Sequence, residues 1–434
     1  MSEKYDVVVI GAGIIGACTA FELAKKGYRT LAIDKLPEAG HGSTSGSCAI
    51  IRTHYSAYET CALAYEGWHY WKDWMAYVGV TDERGMITYN DTGALVMKTQ
   101  ANHRLERVCD VMDRLGCPYQ HVAVEDIESY LPGVDTRSYT PAKTLDDPGF
   151  GAPTGDSVIG AVFFPRAGYV NDPKLSAQNV QRAAEAQGAA FRFNTPVTRI
   201  LTQNGRTSGV ELSGGDIVHA PVVINVAGPH SSKINEMAGV ASRMKMSTRA
   251  LRHEVAHVPA PEGFTEAKGV ISSDNDVNVY TRPESGNNLL IGSEDPECDG
   301  HDWIDDPDDF DPDFTAQWRT MVMRAGQRFP TLGIPDTARG VVALYDVSDD
   351  WMPIYDKSDL PGFYMACGTS GNQYKNAPVA GKIMAALVEA CEAGHDHDAE
   401  PLTFHFDHID RDISLGFFSR NREINMNSSF SVIG

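Results

Sequence analysis

The chain opens on a short β-branched run, "YDVVVI", with no polar residue between positions 7 and 10. An unbroken apolar run of this length suits a strand buried on both faces of a parallel sheet. The period then changes. "ACTAFELAKKG" spaces its apolar residues for a helix and closes on two lysines and a glycine, as helix ends commonly do. A second apolar run, "TLAI", follows and ends at Asp34. Strand, helix and strand in this order predict a βαβ unit.

The same two periods continue downstream. Residues 57–79, "AYETCALAYEGWHYWKDWMAYVG", read as one aromatic-rich amphipathic helix ending at Gly79, with Trp68, Trp71 and Trp74 as packing residues. Residues 85–98 predict two short strands turned by Asn90-Asp91, and 101–117 a helix. Between 160 and 200 the pattern gives a strand, a turn, a helix from about Pro173 to Gln187 and another strand. Hairpin-like strands and the buried run "PVVINVAG", ending at Gly228, follow, and 245–300 alternates like a mixed sheet. The acidic, proline-broken stretch "DGHDWIDDPDDFDPDF" (299–314) is expected to be a solvated loop, because its spacing does not match an EF-hand. From 339 two more strand-like runs lead into "CGTSGNQYKNAPVAGKIMAALVEA", a glycine-punctuated turn followed by a helical pattern.

Composition narrows the class. The 434 residues are 42% hydrophobic and 22% charged, ordinary for a globular protein with a sizeable core. A formal net charge of −21 argues against nucleic acid or anionic lipid as a partner, since such surfaces need clustered Lys and Arg. The eight cysteines form no CxxC pair, which argues for reduced thiols and against a metal site or disulfide framework. The N-terminus lacks the features of a signal peptide and no apolar run approaches the roughly 18 residues of a membrane span. A cytoplasmic protein without a metal is expected.

The most specific motif is Gly11-Ala12-Gly13-Ile14-Ile15-Gly16 at the junction of strand and helix, with Asp34 placed 23 positions after Gly11. This is the context a dinucleotide-binding fingerprint requires. Gly11 permits the turn, Gly13 lets the backbone approach a pyrophosphate, Gly16 allows close packing, and the helix N-terminus attracts phosphate. Asp34 is expected to accept hydrogen bonds from ribose hydroxyls. These residues alone leave NAD and FAD both open. The long Gly/Ser/Thr-rich connection "KLPEAGHGSTSGSCAIIRTHYS" favours the larger cofactor, because compact domains rarely keep such loops without a function.

With "FFPRAGYVNDPKL", "VVINVAG", "VYTRPESGNNLLIG" and "CGTSGNQYKNAPVAGK" added, nearly the whole chain resembles the D-amino-acid oxidase-type flavoproteins, in particular the sarcosine oxidase and dimethylglycine dehydrogenase branch. The resemblance implies an α/β fold. A discontinuous Rossmann-type FAD-binding domain (1–85, 150–235 and 338–398) would interleave with a mixed-sheet α+β substrate domain (86–149 and 236–337), before a C-terminal tail (399–434). It implies FAD held by Gly11, Gly13, Ile14, Ile15, Gly16, Asp34 and Lys35, by Ser43, Thr44, Ser45, Ser47 and Cys48, by Val197, Ala227 and Gly228, and by Gly371, Asn372, Gln373, Tyr374 and Lys375. It also implies a reaction in which the carbon beside an amine nitrogen gives a hydride to flavin N5, leaving an imine that water hydrolyses.

By the same resemblance, Arg52 and Lys375 match the cations that hold a substrate carboxylate, Tyr280 and Tyr345 are candidate pocket walls, and Glu294 is placed to meet a cationic amine. The sequence also departs from the family. Where monomeric sarcosine oxidases attach flavin through cysteine, "RGVVALY" has Ala343, and "GSTSGSCAII" offers no histidine for the other known linkage, so non-covalent FAD is expected. Leu290 stands where those oxidases carry a lysine that assists oxygen, which makes a partner electron acceptor as plausible as oxygen. The expected substrate is a small secondary or tertiary amino acid such as sarcosine or dimethylglycine. The alternatives are a β-like subunit of a multi-subunit amine dehydrogenase, toward which "YTRPE" leans, and a D- or other amino acid oxidase. A homo-oligomer and a hetero-complex both stay open, and the charge weighs against the tRNA-modifying branch.

Overall fold

The computed structural model describes residues 3–99 and 104–433. Its centre is a six-stranded sheet in the order Ala190–Arg192, Thr30–Ile33, Val7–Ile10, Val222–Asn225, Phe363–Cys367, Ile354–Lys357. The first five strands are parallel and the last is antiparallel. Every residue of Val7–Ile10, Thr30–Ile33 and Val222–Asn225 is buried, which explains why their sequences, apart from Thr30 and Asn225 at strand ends, are apolar without alternation.

Three helices cover one face of this sheet: Ile14–Lys25, Pro173–Ala186 and Ala377–Glu392. A Cβ built on Gly381 would lie 2.6 Å from the backbone carbon of Cys18, so glycine there sets how closely two of the helices cross. The other face carries a four-stranded layer that includes Val197–Gln203 and Arg206–Leu212. A second, nine-stranded mixed sheet holds Ala94–Lys98, Gly160–Phe164, Thr248–Pro259, Ile271–Asp274, Val279–Glu284, Asn288–Ser293 and Gly340–Ser348. The helix Ala316–Arg328 packs against it, and a separate apolar cluster fills the space between them. This is the α/β architecture expected, a Rossmann-type sheet beside a mixed sheet.

Local expectations fail where tertiary packing outweighs periodicity. Residues 57–79 make two helices, Tyr58–Lys72 and Trp74–Val78, because Asp73 leaves helical geometry and caps the second one by accepting from the Ala76 amide. Gly79 still ends the pair in the left-handed conformation. The two strands expected within 85–98 form, as Tyr89–Asn90 and Ala94–Lys98, but they do not pair with each other. Each joins a different sheet through strands near residue 165. The helix expected over 101–117 is Arg104–Leu115, and residues 101–103 lie outside the described residues. The acidic stretch 299–314 contains the strand Asp302–Ile304, paired with Thr248–Pro259, so it is anchored to the mixed sheet and is not a free loop. The last residues also hold structure, as the hairpin Thr403–Phe406 and Arg411–Ser414. Among the described residues, no helix is long and apolar enough to cross a membrane.

Candidate active site

A cavity of about 700 Å³ runs from the carboxyl ends of the parallel strands to the facing surface of the mixed sheet. Its size is that of a site for a cofactor and a small ligand. All the residues singled out from the sequence line it: the Gly11–Gly16 turn, Asp34 and Lys35, the Ser43–Cys48 loop, Arg52, Val197, Ala227 and Gly228, Tyr280, Glu294, Tyr345 and the Gly371–Lys375 loop. Leu290 is the exception among the positions discussed. It pairs across strands with Arg282 and His257 and is not part of the lining.

At the strand ends the backbone leaves no room for side chains. A Cβ on Gly11 would lie 2.3 Å from the Val226 carbonyl oxygen, and one on Gly16 only 2.0 Å from the Gly11 oxygen. Gly11 also has φ +105°, a conformation that favours glycine. The helix Ile14–Lys25 begins without a side-chain cap on Gly13 and without an acid in its first turn, so its positive end is not neutralised from within. Thr44 Oγ1 accepts from the Ile14 amide at 3.1 Å, which fastens the Ser/Thr loop to this turn. Asp34 accepts from the Ala12 amide at 2.7 Å and the Leu36 amide at 2.9 Å. Its carboxylate therefore holds the glycine turn in shape, and its remaining lone pairs face the cavity rim.

Lys35 meets His230 at 2.8 Å and pairs with Asp308, while Asp306 pairs with Lys233 at 2.5 Å. Pro307, Asp308 and Phe310 line the cavity, so the acidic stretch closes the outer end of the site. Sequence reading missed this role. The available signal was the aromatic residues of this acidic run, Trp303, Phe310 and Phe314.

The inner end is built from the Gly371–Lys375 loop and the Ser43–Arg52 loop. A Cβ on Gly371 would come within 2.5 Å of the Tyr345 ring, so glycine lets that ring lie against the loop. Asn372 Nδ2 is buried without a partner among the described residues, a donor left for a ligand. A 3-10 turn, Tyr374–Asn376, leads into the helix Ala377–Glu392, which again has no acid in its first turn. Both helix starts suit negative charge, and the crowded glycines suit close backbone approach. The fit is to a long ligand with phosphates at one end and a polar ring at the other.

Lys375 turns inward. Its side chain is buried, and Nζ donates to the Asn372 carbonyl at 2.6 Å and to Tyr55 Oη at 2.8 Å. Among the described residues no carboxylate pairs with it. Burial, reinforced by the Arg52 charge, pushes its pKa well below the usual lysine value. Arg52 lies 4.1 Å over the Tyr55 ring. It donates through Nη1 to the His54 carbonyl at 2.5 Å and through Nη2 to the Val432 carbonyl at 3.2 Å and to the Ile433 carbonyl. The C-terminal segment thus reaches the site, which no feature of its sequence suggested.

Glu294 accepts from Ser273 Oγ at 2.5 Å and from Asn275 Nδ2 at 2.7 Å. Burial raises its pKa to about 8, with Ser273 and Arg52 opposing the shift. Tyr280 meets Cys48 Sγ at 3.6 Å, and burial raises the pKa of both groups. His253, unmarked in the sequence, stacks on Tyr345 at 4.5 Å and bonds Asp295 at 2.8 Å. Burial disfavours its charge, but the Asp295 carboxylate prevails and raises its pKa.

The family model described as DAO, FAD dependent oxidoreductase, matches residues 6–387. The chain belongs to this family. It is an FAD-dependent oxidoreductase. Sarcosine oxidase subunit beta of Rhodobacter capsulatus is 26% identical over 392 residues, covering 89% of this chain and 85% of that protein. Glycine oxidase of Geobacillus kaustophilus is 24% identical over 416 residues, covering 93% and 98%. Among solved structures, L-proline dehydrogenase from P. horikoshii superposes with a TM-score of 0.74 at 22% identity, covering 91% of this chain and 95% of that one. At that identity the likeness is one of fold.

Proposed function

We propose that the enzyme oxidises the C–N bond of a small secondary or tertiary amino acid, such as sarcosine or dimethylglycine. Bound FAD supplies the acceptor for a hydride from the carbon beside the nitrogen. The chain supplies the rest. The observation that carries the reading is Lys375, a buried lysine at the cavity wall whose Nζ meets one carbonyl and one hydroxyl and, among the described residues, no carboxylate. A substrate carboxylate on Nζ would supply the missing counter-charge and fix the amino acid by one end.

The amine at the other end must lose its proton before it can give up a hydride, because the nitrogen lone pair stabilises the cation that forms. Glu294, the buried carboxyl with a pKa of about 8, supports a role in receiving that proton as pH rises. Tyr280 and Tyr345 wall the site and keep water from the reacting carbon until the imine is released. The relatives named as sarcosine and glycine oxidases support the substrate class.

FAD is proposed to be non-covalent. Position 343 is alanine, and a Cβ on Gly46 would lie 2.9 Å from the Ala343 Cβ, so neither residue offers a nucleophile. The partition into an interleaved FAD-binding and substrate domain is part of the same reading. The test is anaerobic: the FAD-loaded protein is mixed with a panel of N-methyl, cyclic and primary amino acids, and bleaching of the flavin is followed. Bleaching by a secondary or tertiary amino acid is expected. No bleaching by any member refutes the proposal.

A second reading is favoured by the relatives named as β subunits. In it the chain works within a hetero-complex and passes electrons to a partner. Size exclusion of native extract distinguishes the two, since a free chain active with an artificial acceptor rules out an obligate complex.

A further inference from the structure

Arg52 is the only arginine among the described residues that line the cavity, and its outer face is already taken. Both hydrogens of Nη2 go to peptide carbonyls, one to Val432 and one to Ile433. A guanidinium grips a carboxylate with two parallel N–H bonds, from Nη1 and Nη2 or from Nε and Nη2. Each of those edges includes Nη2. Two-pronged binding at Arg52 is therefore closed while the tail is seated.

The seat itself is light. Phe430 and Val432 rest on a small apolar cluster of Leu251, Val347 and Trp351. Within the segment, serine hydroxyls make the turns: Ser428 Oγ accepts from the Phe430 amide at 3.1 Å and Ser431 Oγ from the Ile433 amide at 3.3 Å. Residues 428–433 belong to no strand pair. Nothing covalent and no ladder holds the two carbonyls on Arg52.

We infer that Val432 and Ile433 form a carboxylate-operated gate, which competes with the substrate for Arg52 and so selects amino acids over plain amines. The inference rests on the reading that a substrate carboxylate binds beside Lys375. A carboxylate adds the attraction of opposite full charges to its hydrogen bonds with guanidinium, and a neutral carbonyl does not. A carboxylate first held by Lys375 can thus displace the tail from Arg52, whereas a neutral group in the same place cannot. The tail then serves as the specificity element. It stays closed to amines without a carboxylate and opens for those that carry one.

The experiment uses the FAD-loaded full chain, a chain ending at Asn427, and two probes of equal size, acetate and acetamide. Hydrogen exchange of residues 428–433 and the perturbation of the flavin spectrum are read together. Acetate is expected to speed exchange in 430–433 several-fold and acetamide to leave it unchanged. The shortened chain should bind acetate about tenfold more tightly, which is near 1.4 kcal/mol. In Arg52→Lys the acetate effect on exchange should vanish, because lysine lacks the fork.

Equal acetate affinity in the two chains, with exchange unchanged by acetate, overturns the gate and leaves the anchor standing. Should acetate perturb neither chain and Lys375→Met change nothing, the carboxylate reading itself fails and the gate with it. If the shortened chain does not fold, exchange in the full chain decides the matter alone.

Discussion

Replacing Lys375 by methionine separates binding from stability, because the structure predicts opposite signs for the two. Methionine keeps the length and apolar stem of the lysine and deletes only the ammonium. That ammonium is buried, bonded to one carbonyl and one hydroxyl, and unpaired with any carboxylate among the described residues. Its removal leaves little unsatisfied, since Tyr55 Oη still donates to the Asn372 carbonyl at 2.9 Å. Replacing an unpaired buried charge by an apolar group of equal size is neutral or stabilising, so Tm should hold or rise.

The gain should also depend on pH. In the folded chain the lysine pKa lies well below its ordinary 10.5, so the unfolded chain binds the extra proton between those two values. Stability from this position is then present above about pH 10.5 and lost as pH falls through the folded value. The advantage of methionine is largest at low pH and disappears toward pH 10.5.

Binding moves the other way. Deleting one partner of a desolvated charge pair costs about 2–4 kcal/mol, or roughly 30- to 1000-fold in apparent KM for a carboxylate substrate. The assay is anaerobic flavin reduction across substrate concentration, with flavin content measured in parallel and Tm followed from pH 6 to 10. A KM within about threefold of the parent, or a fall in Tm of several degrees at pH 7, would refute the reasoning.

Other outcomes follow from the same geometry. Glu294→Gln should remove an inflection near pH 8 from the pH profile of kcat/KM, measured by flavin reduction, because the parent carboxyl ionises there. Gly16→Ala should abolish FAD binding or folding, since the added Cβ would lie 2.0 Å from the Gly11 oxygen; retention of stoichiometric flavin would contradict it. Asp306→Asn with Asp308→Asn loosens the acidic strap on Lys233 and Lys35. Exposed pairs contribute under about 1 kcal/mol each, so FAD affinity should fall by about two- to tenfold, and less at high salt. Fluorescence titration of the apoprotein reads this directly.

The sequence by itself determined the parts that local chemistry decides. Continuous apolar runs announced Val7–Ile10 as a buried parallel strand and the segment holding Val222–Asn225 as buried, since only a strand covered on both faces tolerates that pattern. The glycines of Gly11–Gly16 announced a backbone that must approach both its neighbours and its ligand, whereas Arg52 and Lys375 were assigned to a charged pocket only through family resemblance. Their two loops, far apart in sequence, were placed in one site by that resemblance, because no period along the chain encodes which loops converge.

Tertiary structure alone decided the rest. Asp73 splits a helix because it caps its neighbour. The acidic stretch becomes a wall of the cavity once one of its strands pairs with Thr248–Pro259. His253 joins Tyr345 and Asp295 only because Thr248–Pro259 pairs with Gly340–Ser348 and with Asn288–Ser293, two residues before Asp295. The C-terminal carbonyls on Arg52 were invisible for a simple physical reason. Every residue carries the same carbonyl, so only the folded path of the chain shows which ones reach a guanidinium.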